Sequence, residues 1–151
     1  MDKVFQKHVQ RVEERFDLLM SSPVLRYPLG AAEIPKAGVY LFSEGERHLY
    51  VGRADDLRTR LNQHQRESSH ANTAAFAARM AREECGIKRD YGPKHKRPIP
   101  VNWGSSFSKA KVRIRSMNIR VVGEDHPECQ ALLEICAAVN LKTPYNDFGN
   151  H

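Results

Sequence analysis

The chain has 151 residues, of which 40% are hydrophobic and 28% are charged, a composition typical of one soluble globular domain. The 24 Lys and Arg exceed the 18 Asp and Glu, so a polyanionic partner such as nucleic acid is favoured, although many basic proteins have no such partner. No apolar run is long enough for a membrane helix and no signal-peptide segment is seen, so a cytoplasmic protein is expected.

The three cysteines, Cys85, Cys129 and Cys136, form an odd set without a closely spaced pair. This pattern argues against a disulfide framework and against a zinc site built from thiolates. We expect Cys129 and Cys136 to fill the core, because they lie on one side of an apolar helix.

The first predicted element is an amphipathic helix from about Val4 to Met20, which ends at Ser21-Ser22-Pro23. Its apolar residues recur every three or four positions and form one stripe. We expect the stripe to pack on the rest of the protein, with a dimer interface as the alternative. The residues of this stripe are Phe5, Val9, Val12, Phe16 and Leu19.

A β-hairpin is predicted next, with strands at about Gly38–Phe42 and His48–Val51 and a turn that contains Gly45. Asp55 or Asp56 can cap the following helix, which runs to about Gln65. Within this helix Arg60 and His64 are four positions apart, so they lie on the same side.

Two more helices and a strand are predicted in the second half of the chain. The helices cover Asn72–Cys85 and a segment that begins near Gly104, and Asn118–Gly123 alternates like a strand. A basic loop at residues 87–100 separates the helices and is a candidate for contacting a nucleic-acid backbone, with a solvated loop as the alternative. The candidate binding residues of this loop are Lys88, Arg89, Tyr91, Lys94, Lys96 and Arg97.

The last predicted helix starts at Asp125 and Pro127 and ends at Thr143-Pro144. Its stretch Cys129–Leu141 is apolar on almost every side and carries one charge, that of Glu134. A helix of this kind is normally buried, and a buried carboxylate must be paired, protonated or bound to a metal. Glu134 is therefore a candidate ligand for Mg²⁺ or Mn²⁺, with an internal ion pair to an arginine as the alternative. A single carboxylate favours one ion over a two-metal site.

An ordered set of motifs resembles the GIY-YIG nuclease family. The set consists of Gly38-Val39-Tyr40, Tyr50-Val51-Gly52, Arg60, His64, Glu134 and a Pro-Tyr-Asn triplet that ends at Asn146. The family includes phage homing endonucleases, some restriction enzymes and the incision subunit of bacterial excision repair. The resemblance extends from about Ile34 to Asn146. The departures are mild: Val39 and Val51 replace isoleucines, and Arg53 stands where relatives of the repair subunit carry a lysine.

The resemblance implies an α+β fold with a small three-stranded sheet, antiparallel or mixed, flanked by helices. This chain adds an N-terminal helix and a helical insertion. We expect one domain over residues 1–151, with the N-terminal helix in 1–22 and the nuclease-like core in 34–147. Periodicity does not determine the order of the strands.

The activity that the resemblance implies is metal-dependent endonucleolytic hydrolysis of phosphodiester bonds, in DNA rather than RNA, which leaves 3′-hydroxyl and 5′-phosphate ends. One Mg²⁺ or Mn²⁺ ion would bind at Glu134. Tyr40 and Tyr50 would lie beside the scissile phosphate, and the residue equivalent to Tyr40 is often proposed as the general base. The phenol pKa of about 10 is high for a base at neutral pH, and we expect Arg53 or Arg60 to lower it.

The remaining candidate residues would bind the nucleic acid or position the reacting groups. Arg60 suits bidentate recognition of a phosphate oxygen, and Arg53 is expected to contact the nucleic acid. His64 could orient Tyr40 or the attacking water, or it could carry the proton of that water. His70 is a weaker candidate that is expected on the same approach to the site. The resemblance gives Asn146 an organising role through hydrogen bonds. A binding or adaptor module without turnover and a nuclease that acts on RNA are the alternative functions, and the sequence leaves target, oligomeric state and pathway open.

Overall fold

The computed structural model describes residues 1–87, 96 and 98–149. The chain divides into two compact units, of which the first comprises residues 1–60 and 117–151 and the second residues 61–116. The expectation of a single domain stays a prediction. Among the described residues, none of the helices combines the length and the apolar character needed to cross a membrane.

Eight helices and strands make up the described part of the chain. In chain order they are α1 (Lys3–Ser21), β1 (Gly38–Glu44), β2 (Arg47–Ala54), α2 (Leu57–Gln65), α3 (Ala75–Glu84), α4 (Trp103–Arg115), β3 (Asn118–Gly123) and α5 (Pro127–Leu141). The predicted hairpin, the strand at 118–123 and all five helices are therefore present, although α3 begins three residues later than expected. The predicted α+β fold is confirmed.

The three strands form one antiparallel sheet in the order β2-β1-β3. One face of this sheet carries α1 and α5, which pack on each other and on the strands. The core between them is formed by apolar side chains from all these elements, because alternate strand residues point to the same face. It contains Val12, Leu19, Val39, Leu41, Val51, Val122, Leu133 and Ala137.

Only part of the apolar stripe on α1 is buried. Val12 and Leu19 are in the core and Phe16 packs against it, whereas Phe5 and Val9 remain 41% and 49% exposed. The prediction that the stripe packs on the protein therefore holds for the C-terminal half of α1. The dimer interface stays an untested alternative.

Helix α5 is not buried on every side, which corrects the expectation drawn from its composition. Ile135 and Val139 are 47% and 66% exposed, because α5 lies on the sheet with one side and on α1 with another and turns a third side to solvent. Cys129 is buried and Cys136 packs against the core, as predicted. Glu134 is itself only partly buried.

In the second unit α3 and α4 pack on each other through buried residues that include Phe76, Ala81 and Ile114. The buried ammonium of Lys111 on α4 donates hydrogen bonds to the carbonyl oxygens of Glu67 and Ser69. It thereby holds the segment between α2 and α3.

A buried carboxylate that sequence reasoning missed connects α1 to the end of β3. The Glu124 side chain is fully enclosed and accepts hydrogen bonds from Arg11 Nε at 2.7 Å and from the backbone N–H of His126 at 3.0 Å. Arg15 lies 3.6 Å away. Burial alone would raise the pKa of Glu124, but these hydrogen bonds and positive charges outweigh burial and lower it.

Replacing Arg11 with glutamine is expected to destabilise the protein by roughly 1–3 kcal/mol, because the buried Glu124 carboxylate loses its shortest charged donor. Since the folded-state pKa of Glu124 is lowered, this stabilisation is present above its ordinary pKa of 4.5 and is lost as the pH falls through the folded value. Urea unfolding of wild type and Arg11→Gln should therefore differ at pH 7 and converge below pH 4.5, whereas the exposed Arg26→Gln should match wild type throughout. A difference that persists unchanged in acid would contradict the assignment.

Candidate nuclease site

Close approach of two strands places Tyr40 at the candidate site. Tyr40 on β1 lies opposite Gly52 on β2, and its phenol crosses directly over that glycine. A Cβ atom at position 52 would lie 2.2 Å from the Tyr40 hydroxyl oxygen, so only glycine leaves room for the ring. Gly38 serves a similar purpose on the other side of β1, because a Cβ there would lie 1.9 Å from the Val122 carbonyl oxygen. The two outer glycines of the motif therefore permit the packing that fixes Tyr40.

The two motif tyrosines converge, as the hairpin predicts. The ring centroids of Tyr40 and Tyr50 are 6.3 Å apart, and Tyr40 also packs edge-on against Phe42. Both tyrosines are buried, with 1% and 7% of their surface exposed. Arg60 reaches the same place and hydrogen-bonds to the Tyr40 hydroxyl.

The position of Arg60 follows from the way α2 begins. The Asp56 carboxylate accepts a hydrogen bond from the backbone N–H of Thr59 at 3.0 Å, which caps the helix directly after β2. Lys36 Nζ lies 2.7 Å from the same carboxylate. Arg60 is therefore in the first turn of a helix whose start is held by the Asp56 cap and by the ion pair of Asp56 with Lys36.

The pKa of Tyr40 is raised well above its ordinary value, which corrects the expectation that a nearby arginine would lower it. Burial is the main cause, because an enclosed phenol loses the water that would stabilise its charged form. Proximity to Tyr50 raises the pKa further, and the charge and hydrogen bond of Arg60 oppose the shift without cancelling it. Tyr40 is therefore a neutral phenol at physiological pH.

Glu134 on α5 faces the same region and is paired with an arginine. Arg53 Nε donates to Glu134 Oε2 at 3.2 Å, and the two side chains are 45% and 22% exposed. The internal ion pair considered as the alternative for Glu134 is thus observed. Arg53, which was predicted to contact nucleic acid, is thus hydrogen-bonded to the candidate metal ligand.

These side chains line one pocket of about 380 Å³ in the first unit. Its lining is mainly polar and charged, which suits a phosphate group better than an apolar ligand. The lining consists of Tyr40, Tyr50, Gly52, Arg53, Ala54, Asp55, Arg60, Gln130 and Glu134. The structure therefore brings together five of the predicted catalytic and binding residues: Tyr40, Tyr50, Arg53, Arg60 and Glu134.

The pocket offers few protein ligands for a metal ion. Across the described residues, no group of three or more His, Cys, Asp and Glu side chains is placed to hold one. Mg²⁺ commonly binds through one or two carboxylates and completes its shell with water and substrate phosphate. The donor set of Glu134 with Asp55 in the same pocket fits that pattern.

Sequence reasoning missed two pocket residues, Asp55 and Gln130. Asp55 was considered only as a possible helix cap, yet Asp56 caps α2 and leaves Asp55 at the pocket. Gln130 lies four residues before Glu134, so both share one face of α5. That spacing was the signal that could have identified it.

Asn146 contacts the backbone of the motif and is not among the residues that line the pocket. Its Oδ1 accepts from Val51 N–H and its Nδ2 donates to Val51 O, both at 2.8 Å. Thr143 Oγ1 also donates to Asn146 Oδ1, and Tyr145 N–H bonds to Leu49 O. The side-chain amide therefore takes the place of a neighbouring strand along the outer edge of β2.

The other predicted residues lie elsewhere in the chain. His64 is fully buried in the second unit, where its ring packs edge-on against Phe76 with centroids 6.5 Å apart. His70 is exposed in the same unit. Of the six candidate binding residues in the basic loop only Lys96, which is exposed, belongs to the described residues. Lys88, Arg89, Tyr91, Lys94 and Arg97 lie outside them.

One comparison with known proteins bears on this site. Residues 36–89 match a family model described as the UvrC-like GIY-YIG domain, and this match includes both tyrosines, both motif glycines, Arg60 and His64. Glu134 and Asn146 lie beyond the match. Neither the curated proteins nor the solved structures give a match. Residues 36–89 are therefore similar to a GIY-YIG domain, and the resemblance to the GIY-YIG nuclease family is confirmed for this part of the chain.

Proposed function

We propose that this protein is a metal-dependent endonuclease that hydrolyses phosphodiester bonds in DNA. The GIY-YIG domain indicates a nuclease-type function. The single observation that supports the finer proposal is the convergence of Tyr40, Tyr50, Arg60 and Glu134 on one polar pocket. Each of these residue types supplies something that phosphodiester hydrolysis requires.

Arg60 binds and neutralises the scissile phosphate in this proposal. A guanidinium can donate two parallel hydrogen bonds to phosphate oxygens and stays charged throughout the reaction. Its hydrogen bond to Tyr40 sets the direction in which it presents the remaining donors. The same bond would therefore place the phosphate beside the phenol.

Tyr40 acts as a neutral phenol that orients the attacking water. A raised pKa makes the phenolate scarce, so the hydroxyl oxygen contributes by accepting or donating a hydrogen bond. In the reaction the water oxygen attacks phosphorus and the water gives up a proton to solvent. The bond from phosphorus to the 3′ oxygen breaks, and that oxygen takes up a proton from solvent. The products are a 5′-phosphate and a 3′-hydroxyl.

Glu134 would hold one Mg²⁺ or Mn²⁺ ion, with Asp55 close by in the pocket. A divalent ion supplies positive charge to the phosphate oxygens and acidifies the water that it holds. Because Arg53 donates to the same carboxylate, Glu134 must share or give up that bond when it binds an ion. Arg53 is then available to contact the nucleic acid, the role expected of it from the sequence.

Asn146 and His64 have supporting roles in the proposal. The Asn146 side chain hydrogen-bonds to the backbone N–H and carbonyl oxygen of Val51, the residue between Tyr50 and Gly52. It therefore holds the strand that carries half of the motif. A role for His64 in orienting water or carrying a proton stays a prediction, as does a cytoplasmic location.

Two other functions remain as alternatives: a nucleic-acid-binding or adaptor module without turnover, and a nuclease that acts on RNA. A binding module has no requirement for a carboxylate in the pocket, so Glu134 favours an enzyme. No residue of the pocket discriminates between DNA and RNA by itself.

Incubation of the purified protein with linear, nicked, branched and single-stranded DNA, and with RNA, tests the proposal. Each substrate is supplied with Mg²⁺, with Mn²⁺ or with EDTA. We expect metal-dependent internal cleavage of DNA, because one carboxylate needs the ion to complete the site. Binding without cleavage of any substrate would favour the adaptor, and preferential cleavage of RNA would favour the third function.

A further inference from the structure

The net positive charge of the protein is concentrated in the second unit. Residues 61–116 contain twelve Lys and Arg against four Asp and Glu, a formal charge of +8. The remaining residues, which form the unit with the pocket, contain twelve against fourteen, a formal charge of −2. The asymmetry persists among the described residues of 61–116, which include eight basic and three acidic side chains.

Some of these basic side chains have structural tasks. Lys111 donates to backbone carbonyl oxygens just after α2, and Arg115 donates to that of Gln65 at the end of α2. Others are on the surface: Arg66, Lys96 and Lys109 are exposed, and the Lys109 side chain is 74% accessible. Lys109 Nζ lies 3.9 Å from the exposed Glu84 carboxylate, and such surface pairs contribute little to stability.

We propose that residues 61–116 are the nucleic-acid-binding unit of the protein, separate from the unit that contains the pocket. The choice of nucleic acid as the partner rests on the proposed nuclease function. A phosphate backbone attracts clustered basic side chains and releases counterions when they bind. The pocket unit, with a formal charge of −2, attracts a phosphate backbone less strongly, so we assign most of the electrostatic affinity to the other unit.

The test replaces Arg66, Lys96 and Lys109 together with glutamine and measures affinity for a short DNA duplex over a range of salt concentrations. EDTA is present, so binding is measured without cleavage. We expect affinity at moderate salt to fall by roughly one to two orders of magnitude. The slope of log affinity against log salt should decrease by about one for each phosphate that the variant no longer neutralises.

The matched control replaces three exposed basic residues of the first unit, Lys3, Arg26 and Arg47, with glutamine. It removes the same charge from the whole protein, so a net-charge effect would lower affinity equally in both variants. Equal losses would overturn the proposal, and so would an unchanged salt slope in the first variant. Failure of the nuclease proposal is distinguishable, because the protein would then bind as predicted here but cleave no substrate in the separate cleavage assay.

A second inference concerns Gln130, which lines the pocket although only 1% of the residue is exposed. Its Nε2 donates to the Glu124 carbonyl oxygen at 2.7 Å. A carbonyl oxygen can only accept, so the amide nitrogen must face it and Oε1 points the other way. Among the described residues none donates a hydrogen bond to Oε1.

We infer that Gln130 is a positioning residue whose Oε1 accepts a hydrogen bond from the attacking water. The hydrogen bond to the backbone carbonyl oxygen of Glu124 fixes the orientation of the Gln130 amide. Glu134 lies one turn further along the same face of α5. An oriented acceptor oxygen at this place holds a water beside the proposed ion site. The inference rests on the proposed function.

Two variants separate positioning from support of the fold. Gln130→Met keeps the size of the side chain and removes both polar atoms, whereas Gln130→Glu keeps an acceptor oxygen and removes the donor. We expect Gln130→Met to lower the single-turnover rate by roughly 10–100-fold with DNA affinity almost unchanged. Gln130→Glu should retain most of the rate, although both variants lose the bond to Glu124 and melt at a lower temperature.

Equal single-turnover rates for wild type and Gln130→Met would overturn this inference alone. Equal losses of rate in both variants would also overturn it, because they would trace the effect to the bond with Glu124. A wild-type protein that cuts none of the substrates would contradict the proposed function first and this inference with it.

Discussion

Replacing Glu134 with glutamine is expected to lower cleavage by three orders of magnitude or more, roughly the effect of removing the main electrostatic element of such a site. Glutamine keeps the size of the side chain and an acceptor oxygen for Arg53, but it loses the charge that holds a cation. The ion pair with Arg53 is partly exposed, and such pairs contribute at most about 1 kcal/mol. The melting temperature should therefore change little.

Glu128→Gln provides a matched control for this variant. Glu128 lies on the same helix, is exposed and is not among the residues that line the pocket. We expect the Glu128→Gln variant to cleave DNA at the wild-type rate. Cleavage by Glu134→Gln at the wild-type rate would remove Glu134 from the mechanism, and unfolding of that variant would assign it the structural role of an ion-pair partner.

Tyr40→Phe is the variant with the second largest expected effect. It removes one oxygen and keeps the ring, so the packing against Phe42 and over Gly52 should persist. If the hydroxyl orients the water, the single-turnover rate should fall by roughly two to four orders of magnitude. Affinity for DNA should stay within a few-fold, since Arg60 remains in place.

The pH dependence of Tyr40→Phe distinguishes an orienting phenol from a general base. Burial raises the pKa of Tyr40, so the hydroxyl stays protonated and does not titrate between pH 6 and 9. We therefore expect the rates of wild type and variant to rise with pH in parallel, separated by a constant factor. A limb of the wild-type profile that disappears in the variant would identify Tyr40 as the base, and equal rates would reduce it to a strand aromatic.

The local elements of this fold could be predicted because each is encoded within a few neighbouring residues. Glycines and β-rich runs specify the hairpin at 38–54, and a proline and an apolar run specify α5. The register that sets Tyr40 over Gly52 follows from the same short segment. The tyrosines and Arg60 were therefore recognised as candidates through the resemblance of their motifs to the GIY-YIG family.

Contacts between distant parts of the chain could not be predicted. Arg11 and Glu124 are 113 positions apart, and Asn146 and Val51 are 95 apart. Both pairs depend on how the helices and the C-terminal segment return to the sheet, which periodicity does not specify. The pKa of Tyr40 was misjudged for the same reason, because burial by the whole fold outweighs the neighbouring arginine.

The exposed side of α5 shows a different limit. Ile135 and Val139 are apolar, and composition alone predicts that they are buried. A helix that packs on a sheet and on one neighbouring helix still has another side. Its own sequence does not show whether a further element covers that side. Glu134 lines the pocket, but it is partly exposed rather than the enclosed charge expected from the sequence.

The central claim is that the pocket around Tyr40 and Glu134 hydrolyses DNA with the help of a divalent ion. Single-turnover cleavage of one end-labelled duplex, by wild type and by Glu134→Gln in Mg²⁺ and in EDTA, tests it most directly. Phosphatase and ligase treatment then identifies the chemistry of the new ends. We predict cleavage only by wild type with Mg²⁺, with 5′-phosphate and 3′-hydroxyl products. Cleavage that persists in EDTA, or that is equal in both proteins, would contradict the claim.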